Sequence, residues 1–177
     1  MPKVRYGVAM SLDGFIAGPH GEFDWITPDP EIDFAKIWEQ FDLFLMGRRT
    51  FEVARTRLHD LFRGKRLFVA SRTLRPEDFP DLTVIPELTT QHMQHMRAEA
   101  KKDIWLFGGA DLCSTLMNLG EVDIVELTVC PVLLGDGVPL TQPLAQRSTL
   151  ELQSHHICRS GLIRLAYTVR KDQSLQH

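Results

Sequence analysis

The stretch Ile104-Trp105-Leu106-Phe107-Gly108-Gly109-Ala110-Asp111-Leu112-Cys113-Ser114-Thr115-Leu116-Met117 decides how this chain is read. Ile104 to Phe107 is an apolar run too short for a helix and bounded by glycine, which predicts a buried strand. Leu112, Leu116 and Leu119 then recur at helical spacing, with Met117 beside them. The pattern is strand, glycine turn, helix. Glycine lets the backbone turn sharply and lets a ligand approach the main chain. The first amides of the helix point into that turn with a partial positive charge, which suits a phosphate. The same pattern also serves as a tight turn with no ligand, so this segment alone leaves both readings open.

The device recurs twice. Met46 leads into Gly47-Arg48-Arg49-Thr50, and Ala70 into Ser71-Arg72. In an open α/β sheet, ligands bind beyond the carboxyl ends of parallel strands. Arginines, hydroxyls and helix N-termini gathered at such ends suit a ligand with more than one phosphate. A dinucleotide with an added 2′-phosphate needs an arginine fork at one end and backbone amides at its pyrophosphate.

Around these segments the chain alternates. Strands are predicted at Val4–Met10, Phe41–Met46, Leu67–Ala70 and Leu82–Ile85. A helix is expected from Glu31, with Asp29 as its N-cap and Phe34, Ile37, Trp38 and Phe41 as its apolar face. Gln91–Lys101 reads as a polar surface helix. Beyond Gly120 the texture becomes antiparallel: a strand over Val122–Pro131, a turn at 133–137, then strands at Leu150–Cys158 and Leu162–Val169 about the loop Arg159-Ser160-Gly161. The fold class is therefore α/β: a mixed, mainly parallel sheet covered by helices, with a C-terminal antiparallel hairpin at one edge.

The length of 177 residues predicts a single domain, residues 1–177. A net charge of −3 and a pI near 6.1 argue against nucleic acid as a partner. No apolar run is long enough to span a bilayer. The N-terminus shows no signal-peptide pattern, and three scattered cysteines suit reduced thiols, so a cytoplasmic location is expected.

Five motifs in order carry a resemblance: Ser11-Leu12-Asp13-Gly14-Phe15-Ile16-Ala17, Met46-Gly47-Arg48-Arg49-Thr50-Phe51-Glu52, Ala70-Ser71-Arg72, Phe107-Gly108-Gly109, and Pro131 to Leu140 through Leu134-Gly135-Asp136-Gly137. The chain resembles the dihydrofolate-reductase-like superfamily, and within it the reductase domain of the bifunctional riboflavin-biosynthesis deaminase-reductase and its stand-alone bacterial relatives. The resemblance implies a three-layer fold, an eight-stranded sheet with helices on both faces, NADPH as cofactor, and a homodimer. It implies that Gly47, Arg48, Arg49 and Thr50 meet phosphates, and that Ser71 and Arg72 hold the adenosine 2′-phosphate. Gly108, Gly109, Ala110 and Asp111, flanked by Phe107 and Leu112, match the pyrophosphate turn, and Ala9, Ile16 and Ala17 flank the nicotinamide.

Hydride transfer asks the protein for geometry and a proton source. Asp13, following the first strand, is the first candidate polar group near the chemistry, and also a candidate turn-stabilising carboxylate. Asp33, on the first helix, is the second. Phe23 and Trp25 are candidate lid residues. No metal is expected: His92 and His95 read as a surface pair, and the adjacent His155 and His156 face opposite ways on a strand. Cys113 reads as a packed core thiol, and no hydrolase elbow appears. Two function classes stay open: an NADPH-dependent reductase of a small heterocyclic substrate, and a non-catalytic nucleotide-binding dimeric module.

Overall fold

The computed structural model describes residues 1–57 and 62–171. Ten strands and four α-helices follow one another: β1 (Val4–Ser11), β2 (Phe15–Ala17), α1 (Phe34–Trp38), β3 (Phe41–Gly47), α2 (Arg48–Arg57), β4 (Arg66–Ala70), β5 (Leu82–Ile85), α3 (Thr90–Glu99), β6 (Asp103–Gly108), α4 (Ala110–Asn118), β7 (Ile124–Cys130), β8 (Val138–Pro139), β9 (Leu150–Ile157) and β10 (Ile163–Val169). Eight strands form one sheet in the order β5-β4-β3-β6-β1-β7-β10-β9. The first six in that order pair parallel, and β10 joins antiparallel to both β7 and β9. This is the mixed, mainly parallel eight-stranded sheet of a dihydrofolate-reductase-like fold, closed at one edge by the expected hairpin.

Parallel strands with both faces covered read as continuous apolar runs, and β3 does so from Leu43 to Met46, all at 0% exposure. One sheet face packs Tyr6, Leu43, Leu45 and Leu106 under Met93, Met96, Leu112 and Leu116 of α3 and α4. The other packs Phe44, Met46 and Trp105 against Phe51 of α2, with Ile37 and Trp38 of α1 alongside. Trp105 packs against β1 at Gly7, which has no side chain: a Cβ there would stand 2.8 Å from the indole.

Three local expectations change. The helix expected from Glu31 is five residues long, begins at Phe34 and is capped by Asp33, whose carboxylate accepts from the Lys36 amide. Asp29 instead holds the loop, accepting from Glu31 N–H and from the Ser160 hydroxyl. Phe41 belongs to β3 and is fully buried. The helix α3 keeps the expected polar outer face, but its underside belongs to the core: Met93, Met96 and Arg97 are buried, and His92 closes a capping box with Thr89. Finally, β2 and β8 form a separate two-stranded antiparallel sheet that the local pattern did not suggest.

Candidate active-site groove

A groove of about 2040 Å³ opens along the carboxyl ends of the parallel strands and continues over the face of the hairpin. Its lining comes from every strand of the large sheet except β5. At roughly 4.8 Å per strand step that is about 29 Å of sheet. A pocket for one drug-sized ligand occupies about 300–1,000 Å³, so this groove has room for a dinucleotide beside a second small molecule.

The three strand-end loops meet at one end of it. Gly47, Arg48, Arg49, Thr50, Ser71, Arg72, Phe107, Gly108, Gly109, Ala110, Asp111 and Leu112 all line the groove. Gly47 faces the Gly108–Gly109 peptide, and the Thr50 hydroxyl lies against both glycines, within 4 Å of where a Cβ would stand on either. The helix α4 starts at Gly109, which has no side chain to cap it, and its first internal bond is Cys113 N–H to Gly109 O. The amides of Ala110, Asp111 and Leu112 precede that bond, so they are orphan donors of the kind an anion satisfies. The helix α2 carries no acid in its first turn, which leaves its positive end uncompensated.

The arginines differ. Arg48 is engaged, donating from Nε to Glu52 Oε1 at 2.7 Å and from a terminal nitrogen to Thr73 Oγ1 at 2.6 Å. It ties the ends of β3 and β4 together. Arg49 and Arg72 are exposed and make no ion pair or hydrogen bond with the described residues. Ser71 is buried, and its Oγ accepts from Thr73 and Leu74 amides. Its hydroxyl proton remains free to donate, since a hydroxyl has one donor besides two lone pairs.

Further along, Ala9, Ile16 and Ala17 line the groove beside Gly137 and Val138. Gly137 has φ +156°, and a Cβ there would stand 2.2 Å from the Ala17 carbonyl oxygen. Only glycine lets β8 close on β2 and so fix Ile16 and Ala17. Phe23 lines the groove as expected of a lid residue. Trp25 does not, and packs with Ile32, Cys130 and Cys158.

Neither candidate acid reaches the groove. Asp13 turns toward the loop after β7, accepting from Ser11 Oγ at 2.6 Å and from the amides of Leu134 and Gly135 at 3.1 and 2.7 Å. The Ser11 hydroxyl and the Gly135 amide hold its carboxyl below the usual range. Asp33 caps α1 and pairs with Lys36, whose amide lowers its pKa. Both are fastenings of local structure, for the same reason: a short carboxylate beside free amides takes the amides.

The polar groups of the groove floor lie elsewhere. The strand register puts Gly7, Ala9, Glu126, Thr128, Ala166, Arg164, Ser154 and His156 on one face, and all of them line the groove. Glu126 accepts twice from Arg5, at 3.1 and 2.6 Å. Arg164 has no hydrogen-bond or carboxylate partner among the described residues. Trp105 Nε1, also at this floor, is buried with no hydrogen-bond partner. Alternation along β7 and β10 was the signal that would have found this face, since Glu126 and Thr128 in the one and Arg164 and Thr168 in the other stand at even spacing between apolar residues.

The comparisons with known proteins bear on family and fold. The chain is 33% identical over 177 residues to the uncharacterized protein YyaP of Bacillus subtilis (strain 168), covering 93% of this chain and 94% of that one. In fold it is similar to a Shewanella sp. PV-4 protein named for riboflavin biosynthesis, with a TM-score of 0.83 at 24% identity over 97% of this chain and 100% of that one. It is also similar in fold to the dihydrofolate reductase of Enterococcus faecalis complexed with NADP(H), with a TM-score of 0.69 at 15% identity over 95% and 96% of the two chains. The model of the RibD C-terminal domain matches residues 2–163, and the chain belongs to that family.

Proposed function

We propose that this chain is an NADPH-dependent reductase of a small heterocyclic substrate, most like 5-amino-6-(5-phosphoribosylamino)uracil reductase or dihydrofolate reductase. The observation that carries the reading is the meeting at one groove of Arg49 and Arg72, unpaired among the described residues, and the glycine-capped start of α4. The residues fit the cofactor's chemistry: guanidinium groups without partners suit a 2′-phosphate, and uncapped amides suit a pyrophosphate. When bound, NADPH supplies the hydride. The chain supplies binding and orientation: Ser71 and Arg72 at the adenosine phosphate, the amides of Gly47–Thr50 and Ala110–Leu112 at the pyrophosphate, and apolar Ala9, Ile16 and Ala17 as a wall for the nicotinamide.

For the substrate, Glu126 offers acceptor lone pairs, Thr128 a hydroxyl and Arg164 free N–H donors. A planar ring with both N–H donors and carbonyl acceptors, as in a pyrimidine, matches that set. All three cysteines are unpaired, in keeping with a reducing compartment such as the cytoplasm. No helix among the described residues is long and apolar enough to cross a membrane. A homodimer is part of the proposal. Leu150, Leu152 and Ile157 on the edge strand β9 are 39%, 51% and 66% exposed, and register puts them on one face with Ile163 and Tyr167. An apolar edge of this kind asks for cover.

Fluorescence titration with NADPH and NADH, followed by NADPH oxidation against pyrimidines, pterins and quinones, tests the reading. The expected result is tighter NADPH binding and turnover with one ring class. Equal affinity for the two cofactors would sink it. A second reading, a nucleotide-binding module without turnover, is favoured by the position of Asp13 and Asp33 outside the groove. Tight binding with no oxidation across the panel would select it.

A further inference from the structure

At the hairpin end of the groove, three side chains from distant parts of the chain meet. Glu31 comes from the loop before α1, His156 from β9 and Cys158 from the turn after it. Their ligand atoms, a carboxylate oxygen, an imidazole nitrogen and a thiol sulfur, all lie within 4.8 Å of one another. His156 Nε2 is 3.4 Å from Glu31 Oε2. The loop and the hairpin are already held in register around this cluster. Asp29, only 5% exposed, accepts from Glu31 N–H and the Ser160 hydroxyl, and Arg159 N–H donates to Glu31 Oε1 at 3.2 Å.

Zinc takes such a mixed set, with Cys sulfur at about 2.3 Å, His nitrogen at about 2.0–2.1 Å and carboxylate oxygen at about 2.0–2.2 Å. Tetrahedral ligands at those lengths stand about 3.5 Å apart. His156 Nε2 and Glu31 Oε2 already stand at that spacing, 3.4 Å apart, and both side chains have room to adjust, being 57% and 33% exposed. Sulfur with nitrogen and oxygen also disfavours magnesium and calcium, which take oxygen alone.

We propose that Glu31, His156 and Cys158 form a three-ligand transition-metal site, suited to zinc, that pins the loop around Asp29 to the β9–β10 hairpin. Binding breaks the Cys158 S–H bond and forms a metal–thiolate bond, with the proton released to water. The fourth position takes water. The site is independent of the reductase reading, and its test needs no nicotinamide cofactor.

The test titrates chelator-stripped protein with Zn²⁺ and, separately, with Co²⁺. The expected result is one equivalent per chain, with Co²⁺ giving a thiolate-to-metal charge-transfer band and tetrahedral d–d bands. Trp25 shares a packed cluster with Cys158 and Ile32, so its fluorescence should shift on saturation. Losing an outer partner of a metal site costs about 10–100-fold in affinity, so losing a ligand should cost about 100-fold or more. His156→Gln and Glu31→Gln, at surface positions, should show that loss with unchanged circular dichroism, and Cys158→Ser should abolish the charge-transfer band. Cys113→Ser should retain the site. If Cys158→Ser does not fold, the two surface variants decide. Substoichiometric binding, a cobalt spectrum without a thiolate band, or unchanged affinity in His156→Gln would overturn the proposal and leave a plain His–Glu pair.

Discussion

Arg72 stands alone at the end of β4, and its solitude gives it a sharp expected signature. Charge-assisted hydrogen bonds contribute about 1.5–3 kcal/mol, and each 1.4 kcal/mol is tenfold in affinity. Arg72→Ala should therefore weaken NADPH about 10–100-fold while leaving NADH nearly unchanged, as read by fluorescence titration. Arg48→Ala is a different experiment, because it also cuts the link between Glu52 and Thr73. Asp13 gives a pH signature. Its carboxyl is held below its ordinary value by the Ser11 hydroxyl and the Gly135 amide. A depressed folded pKa means the contribution is present above the unfolded value, about 3.9, and is lost as pH falls through the folded value. Wild-type Tm should fall on acidification below about pH 4, and Asp13→Asn should lower Tm at neutral pH and flatten that acid limb.

At the scale of elements, the small β2–β8 sheet and the buried foot of α3 are the two places where one substitution should reach furthest. Gly137→Ala puts a methyl group where the Ala17 carbonyl oxygen already lies, at a φ of +156°. Strain of this kind costs about 1–3 kcal/mol, and the displaced Ile16 and Ala17 should raise KM for the cofactor more than they lower Tm. The helix α3 is anchored by Arg97, whose side chain is 6% exposed and pairs with Asp123 at 2.7 Å and Glu121 at 3.3 Å. Removing one partner of a buried pair costs about 3–5 kcal/mol, because the other charge stays buried. Arg97→Ala should show that loss in urea denaturation. Its buried foot is hidden from a local reading because Arg97 points inward to acids more than twenty residues away, a fact no window over α3 contains.

For the molecule as a whole, the uncovered hairpin sets the expected assembly. Light scattering on the eluted protein should give twice the chain mass, and Leu152→Glu with Ile157→Glu should give a monomer with intact helical signal. A wild-type monomer would remove the dimer from the proposal without touching the groove. The sequence by itself determined the strand–turn–helix units at Gly47 and Gly108. Each is a local event: an apolar run, a residue that permits the turn, and a helix whose first amides must point back. It could not determine which carboxylates face the groove, because a side chain's direction depends on which distant amides or cations capture it. Asp13 was captured by the loop at Leu134–Gly135 and Glu126 by Arg5. Only the tertiary structure brought residues 7, 126, 128 and 164 onto one floor, and residues 31, 156 and 158 to one corner. Pairing of strands remote in the chain, which no short-range pattern encodes, made both.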